Sequence, residues 1–578
     1  MSFFRRRHQA FISLANQETS SPKPSYIKAN ATFENISIHL DISSGGLNQP
    51  DTDLDSTFSV QWRVLGTSTW KESAPPARCH PGYTIDTVLT TYNFWAASCM
   101  HLTPDTTYQI KVNYNDPDEG APVVDIFDVS TEAHIVEPTT LKYCIAGTSG
   151  GDGSSGNPWQ GLQTAADNLS PGETCMVANG TYAPVEFTKT TGTLANPFVF
   201  KATNARLAII DGSGARNCIQ VTPSSGTCGY VVFDGFEIRD AILGIEISDT
   251  NFFTLKNCYI HDVRDGIRAY SWDNGNINNS YIYNNKFIGN TVWPRTDGGW
   301  DSAKGIWAGG NNDTYAYNEV SNFDDGISWE SLNFDEVNYG ADIHHNYVHK
   351  IVDDAIEIDE SVSNIRVYKN NIFDARDGLS QGPLHGGPCY VFRNVIYNME
   401  TSGHKLTRGG TGIYMYNNTE VMLGYGHVNS SSSKSTWNNT ITKNMAGAAQ
   451  WDNYFQQGTL PDPTDHDWDY NSFYTATTFR YVWSGTPYTT IAAMYAATGL
   501  AQNDQEITLS DFVDVSLPTD DYDAHVPGDY DFRPSVGSDL IGAGTKINNV
   551  NDPWDSASSP TSGAYVYNET LEQIGCNF

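Results

Sequence analysis

Long apolar runs are missing. No stretch of about 18 apolar residues occurs among the 578, so no membrane-crossing helix is indicated. Positive charge is scarce as well: 33 Lys and Arg stand against 67 Asp and Glu, a formal net charge of −34. A surface this acidic excludes a nucleic-acid binder, because phosphate recognition needs a basic face. Nine cysteines are present, none in a Cys-x-x-Cys pair, which removes zinc and redox motifs of that kind. Cys79 with Cys99 and Cys218 with Cys228 remain pairs that an oxidising compartment would join; buried apolar thiols are the alternative. The opening MSFFRRRHQAFISLANQ is basic. Its apolar stretch AFISLA is shorter than the roughly 7–15 residues of an export signal. Residues 1–24 therefore read as a basic tail or a weak export signal.

What is abundant is glycine (50) and tyrosine (32), a profile of extended β architectures with many turns. The chain is too long for one compact domain unless it is a repeat array. Residues 25–137 alternate in the strand manner (FSVQWRVL, YQIKVNYN) between Gly, Pro and Asp punctuation, as a β-sandwich does. The segment LTPDTTYQIKV has Leu, Pro, Thr and Tyr placed as in a tyrosine corner, and resembles a fibronectin type III domain. That resemblance implies a spacer or attachment role. From residue 138 onward, YCIAGTSGGDGSSGNPWQGLQTAADNL reads as a strand, a Gly/Ser loop and a short amphipathic helix around Trp159–Leu169. It resembles the entry of bacterial β-helix polysaccharide enzymes, whose helix covers the open end of the coil. PYTTIAAMYAATGL reads as a second helix, and DYDFRPSVGSDLIGAGT resembles the tail that returns along such a solenoid.

Between these ends the chain repeats. An Asn follows each alternating run (Asn257, Asn285, Asn318, Asn346, Asn370, Asn394, Asn417), at gaps of 23 to 33 residues. Such a period predicts a solenoid, here a right-handed parallel β-helix over residues 138–578, whose units bury their apolar sides only by stacking. The Asn column reads as structural, from left-handed backbone at a tight turn and from amides bonded rung to rung.

Aligning the repeats on their D-G-I element produces columns. The leading position holds Asp265, Lys304, Asp325, Asp354 and Asp377. Three residues on stand Arg268, Trp307, Ser328, Glu357 and Ser380, and two beyond those Tyr270, Glu330 and Asp359. If Ile267, Ile306, Ile327, Ile356 and Leu379 face inward, alternation sends these columns outward. Carboxylates stacked about 5 Å apart repel, which is tolerated where a cation or a shared proton relieves them. Trp293, Trp300, Trp307 and Trp329 are candidate sugar platforms or ordinary packing.

SGHKLTRGG at Ser402–Gly410 is similar to the G-F-K-L-G-G segment of the family 9 pectate lyases. The resemblance implies that Lys405 is the base and that Asp325, Asp353, Asp354 and Glu357 bind calcium. Arg408 and Arg376 would lower the pKa of Lys405, and Arg268, Lys304, Trp307, Trp329, Arg376 and His404 would hold substrate. Glu357 stands where the family has Asp, and a coil carrying Asp377 and His385 is inserted before Lys405. The rival is an inverting hydrolase of the polygalacturonase-like kind, with Asp325, Asp353 or Asp354, Asp377 and His385, although the N-T-D and R-I-K strings are absent. A third reading is a non-catalytic carbohydrate-binding adhesin or tailspike-like stalk with calcium staples. All three predict a secreted or cell-surface, monomeric protein with a polysaccharide as its partner.

Overall fold

A computed structural model describes residues 20–578 apart from 43–46, 48–50, 52, 80, 82–83, 86–87, 90–91, 119, 224–225, 270–276, 295–301, 331–338, 424–427, 431–436, 439, 444, 450–454, 458–465, 479, 484 and 521–522. Tyr270, Trp300 and most of the basic tail lie outside the described residues. Parallel strands stack into a β-solenoid with one 14-stranded sheet, one 20-stranded sheet and shorter ladders at the corners. Its interior is one continuous apolar core from Cys144 to Ala501. Among the described residues no helix is long and apolar enough to cross a membrane.

The first helix, α1 (Leu162–Asn168), turns Leu162, Ala165 and Ala166 into that core and covers the first coil. The second, α2 (Ile491–Thr498), is capped by the Thr490 side chain and stopped by Gly499 in left-handed geometry (φ 78°). Beyond it the tail returns along the solenoid. Phe532 packs with Phe373 and Tyr397, Glu572 reaches His345 and Lys369, and Asn577 meets Asn284.

The Asn ladder is real but shifted by one residue at two coils. Asn285, Asn318, Asn346, Asn370, Asn394 and Asn418 are fully buried, and each Oδ1 after the first accepts the backbone N–H and the Nδ2 of the Asn below at 2.9–3.1 Å. The left-handed backbone belongs to the residue before: Asn284, Tyr317, His345, Lys369, Arg393 and Asn417 have φ of 51–57°. Asn257 and Asn417 therefore occupy the turn, not the ladder, and Cys258, whose N–H donates to Asn285 Oδ1, takes the ladder place in the coil of Asn257.

The N-terminal sandwich has two antiparallel four-stranded sheets. Tyr108 accepts a hydrogen bond from the Thr103 N–H at 2.8 Å, the bond a tyrosine corner makes. The sandwich is not tethered loosely. Its Thr32 and Asn35 donate to Asp342 of the solenoid, while Arg366, fully buried, spans Asp342, Ser37 and Ser98. Ala74, Ala77 and Met100 pack on the buried rings of Tyr368, Tyr390, Phe392, Tyr414 and Tyr416. All of these solenoid partners stand on or beside the 14-stranded sheet. All nine cysteines are free; Cys79 and Cys99 stand at different levels of their strands, Cys79 opposite Phe94 and Cys99 opposite Ile36.

Six strands of the 20-stranded sheet, each paired with the next along the polar columns, carry those columns: β1 (Tyr259–Ala269), β2 (Lys304–Ala308), β3 (Asp325–Trp329), β4 (Tyr347–Glu357), β5 (Asn371–Ser380) and β6 (Val395–Leu406).

Candidate functional site

The register puts the predicted columns in line. Lys304 pairs with Asp325, Asp354 with Asp377, and Asp377 with Ser402; Arg268, Trp307, Ser328, Glu357, Ser380 and Lys405 follow one another in the second column. Between them run Ile267, Ile306, Ile327, Ile356, Leu379 and then His404, all pointing into the core. Period-two alternation separates the second column from this inward row. The leading column stands two residues before the row, where alternation alone would send it inward: Asp265, Lys304, Asp325, Asp354 and Asp377 are all buried, and the ladder register shifts just before Asp354 and Asp377.

At the centre, one carboxylate oxygen from each of Asp325, Asp353 and Asp354 lies within 4.8 Å of the other two. Asp325 Oδ1 accepts the Asp354 N–H at 3.2 Å. Asp353 is held by Arg376 at 2.8 Å. Asp354 is 1% exposed; its Oδ2 accepts from Lys405 Nζ at 2.6 Å, and its Oδ1 has no hydrogen-bond partner. A buried carboxylate oxygen without a donor is costly, and a hard cation is one group that satisfies it. Asp325, Asp353 and Asp354 thus fit a calcium-type ion. Glu357 does not join them: its Oε2 is taken by Lys304 Nζ at 2.7 Å and Ser328 Oγ at 2.9 Å.

Lys304 is the second hub. Its ammonium lies 2.7 Å from Glu330, 2.7 Å from Glu357 and 3.3 Å from Asp325. It is nine-tenths buried and fully engaged by acids, so it organises the site instead of presenting a free cation to substrate. Burial and the neighbouring Glu357 push Asp325 up to about 7. Burial likewise raises Asp354, Asp359, Asp377 and Glu330.

Lys405 departs from expectation in two ways. The inserted coil does not separate it from the acids, because its side chain reaches back past Asp377 to Asp354. Its pKa is raised, not lowered: burial acts downward, but Asp354 and Asp353 outweigh it. Arg376 is committed to Asp353, and Arg408 is exposed in a left-handed turn (φ 59°), so neither arginine acts on Lys405 as anticipated.

Two proposed substrate contacts are interior. Trp329 is fully buried and donates its Nε1–H to Asp313 at 3.1 Å. His404 is fully buried, lies 3.0 Å from Glu420, and is pushed down to about 3 by burial. Both stand in the inward register, His404 opposite Leu379 and Trp329 opposite Ala308. Trp307 remains on the face, with Arg268 4.5 Å above its ring. Asp377 accepts from Ser402 at 2.5 Å. His385 pairs with Glu360 at 2.6 Å, and its carbonyl faces Cys79 of the sandwich, so it belongs to the seam and not to the carboxylate group. Glu330 and Asp359, visible in the sequence as the third column, are drawn into the site: Glu330 by Lys304, Asp359 by Ser380 and the Gly382 N–H.

No protein-family model matches this chain, and no curated protein does. Among solved structures, it is similar to a family 28 exopolygalacturonase of Yersinia enterocolitica (11% identity, 84% of this chain and 99% of that one, TM-score 0.34). A rhamnogalacturonan lyase aligns at 12% identity over 67% of this chain and 97% of its own (TM-score 0.32). An alginate lyase from Paenibacillus sp. str. FPU-7 aligns at 15% over 56% and 95% (TM-score 0.24). Likeness at this level leaves the chemistry to be read from the residues themselves.

Proposed function

We propose that this chain is an extracellular polysaccharide-cleaving enzyme, a cation-assisted lyase acting by β-elimination on a uronate-containing polymer. One observation carries the reading: the Asp325, Asp353, Asp354 group shares Asp354 with Lys405 and leaves Asp354 Oδ1 unmet. Asp325, Asp353 and Asp354 would hold a calcium-type ion, and such an ion would supply Lewis acidity toward a uronate carboxylate. Lys405 Nζ, once it has released its own proton to solvent, would be placed to accept the proton on the carbon next to the uronate carboxylate, while the glycosidic C–O bond at the β carbon breaks and its oxygen leaves with a proton from solvent. Lys304 keeps Glu330, Glu357 and Asp325 from repelling one another, and Trp307 with Arg268 offers a ring and a guanidinium beside the column for a sugar and its carboxylate. The sandwich reads as fibronectin type III-like, fixing the solenoid from the side away from this face.

The alternative with its own support is an inverting hydrolase. A buried carboxyl held near 7, Asp325, is poised as a general acid at neutral pH, and other acids stand on adjacent strands. A screen of uronate polymers with two readouts separates the two. Growth of ultraviolet absorbance from unsaturated ends, lost on chelation, marks the lyase; new reducing ends without absorbance mark the hydrolase.

A further inference from the structure

A second convergence of carboxylates lies far from the catalytic face, in the sandwich. One oxygen from each of Asp51, Asp55 and Asp116 lies within 4.8 Å of the other two. Asp51 and Asp116 are buried, at 3% and 2% exposure, whereas Asp55 is exposed, so the group has a closed floor and an open rim. Asp116 Oδ1 accepts the Asp118 N–H at 3.1 Å, but Asp116 Oδ2 is buried with no hydrogen-bond partner. Crowding is felt at the rim: the field of Asp53, Asp116, Asp118 and Asp51 adds to desolvation in raising Asp55. One cation is already present, the Arg78 guanidinium, 2.7 Å from Asp51 Oδ2. It is paired with Asp51, and among the described residues no ion pair is formed by Asp55 or Asp116.

We infer that Asp51, Asp55 and Asp116 form a binding site for a calcium-type divalent cation. Oxygen-only donors favour a hard ion, and the exposed rim admits the waters that complete six to eight ligands. The orphaned Asp116 oxygen and the like-charge crowding are relieved together when the ion enters. The site also has a mechanical position. Arg78 ties Asp51 to the Phe94 carbonyl at 3.2 Å and to Asn93 at 2.7 Å, and Phe94 packs with Cys79 on Val362 of the solenoid. An ion at Asp51 thus braces the sandwich edge that leans on the solenoid.

The test uses the full chain stripped with chelator, calcium as the ligand in calorimetry, and terbium as a luminescent probe. Trp95 donates to Ser56 Oγ at 2.9 Å, within the Asp51–Ser56 loop, and is the sensitiser expected for terbium here. Affinity is expected on the order of 10⁻⁴ M, as for extracellular modules with few ligands. Asp116→Asn is expected to lose one calcium from the stoichiometry, while Asp354→Asn keeps that ion and Trp95→Phe loses terbium emission. Asp55→Asn guards against misfolding: its side chain is exposed, so the variant folds normally, and its affinity falls about tenfold or more. Unchanged stoichiometry and affinity in both Asp116→Asn and Asp55→Asn would overturn the site, as would a single wild-type ion abolished by Asp354→Asn. The assignment is independent of the solenoid site, because a wild type with one ion lost in Asp116→Asn supports it even if the catalytic reading fails.

Discussion

Asp265 and Asp354 occupy the same column of the same sheet, three strands apart, and are used in opposite ways. Asp265 is fully buried and fully answered. Arg264 of its own strand lies 2.8 Å away, Arg268 of the same strand 3.8 Å, and the Lys304 N–H donates to it at 3.2 Å. Asp354 is equally buried but is answered from a distance, by a lysine two strands on, and only at one oxygen. Local arginines make the first carboxylate a piece of the turn. Acidic neighbours above and below make the second a strained group whose relief is a ligand. Position in the repeat does not distinguish them; the company each keeps does.

The largest effect expected is at Lys405. Lys405→Ala should lower turnover on a uronate polymer by about 10²–10⁴-fold, the usual contribution of a positioned general base, with an unchanged circular dichroism spectrum. Near-normal turnover would remove the lyase mechanism. Asp354→Asn comes next. It should abolish the chelator-sensitive part of the activity, a loss of roughly 10²-fold or more. In chelator, the same variant should melt within about 1 kcal/mol of wild type or above it, because a crowded buried charge has been removed. A large destabilisation in chelator would mean that Asp354 is a structural acid like Asp265.

Asp265→Ala is the converse. It strands the Lys304 N–H and removes the Arg264 pair, so urea unfolding should show a loss of roughly 1–3 kcal/mol. Turnover per folded molecule should stay within about twofold. If that variant instead lost the cation dependence, the contrast between the two aspartates would collapse.

The columns were legible because a recurring D-G-I element carries the register, and five coils aligned on it agree with the ladder pairs; alternation explains only the second column, because the leading acids share the parity of the inward row and are buried. Side-chain type misled where it was allowed to overrule that register. His404 aligns with Leu379, and Trp329 stands two residues after the inward Ile327, so alternation alone assigns both to the core. The Asn ladder slipped for a similar reason: Asn417–Asn418 offers two candidates, and the turn's left-handed residue precedes the ladder residue at every coil described above. The reach of Lys405 across Asp377 was not legible, since it depends on side-chain length against a coil spacing that the sequence expresses only as an insertion. Nor was the inverted effect on its pKa, which comes from Asp354 and Asp353 outweighing the burial of the amine.

The paired kind of acid has its own signature in pH, and Glu319, further back on the same sheet, tests it. Burial would raise its pKa, but the hydrogen bond from His349 at 3.4 Å and the Lys286 pair at 2.9 Å hold it down at about 2. A folded-state pKa below the unfolded value binds fewer protons in the native state. The stabilisation is therefore complete above the ordinary glutamate value of 4.5 and is lost as pH falls through about 2. Its size should be on the order of 1–2 kcal/mol after allowance for solvent screening. Glu319→Gln should flatten the stability curve between those two pH values and lower the plateau above them, read by urea unfolding across the range. An unaltered slope in that window would show that partners on neighbouring strands do not fix the charge of an acid here, and the explanation offered for Asp265 would lose its basis.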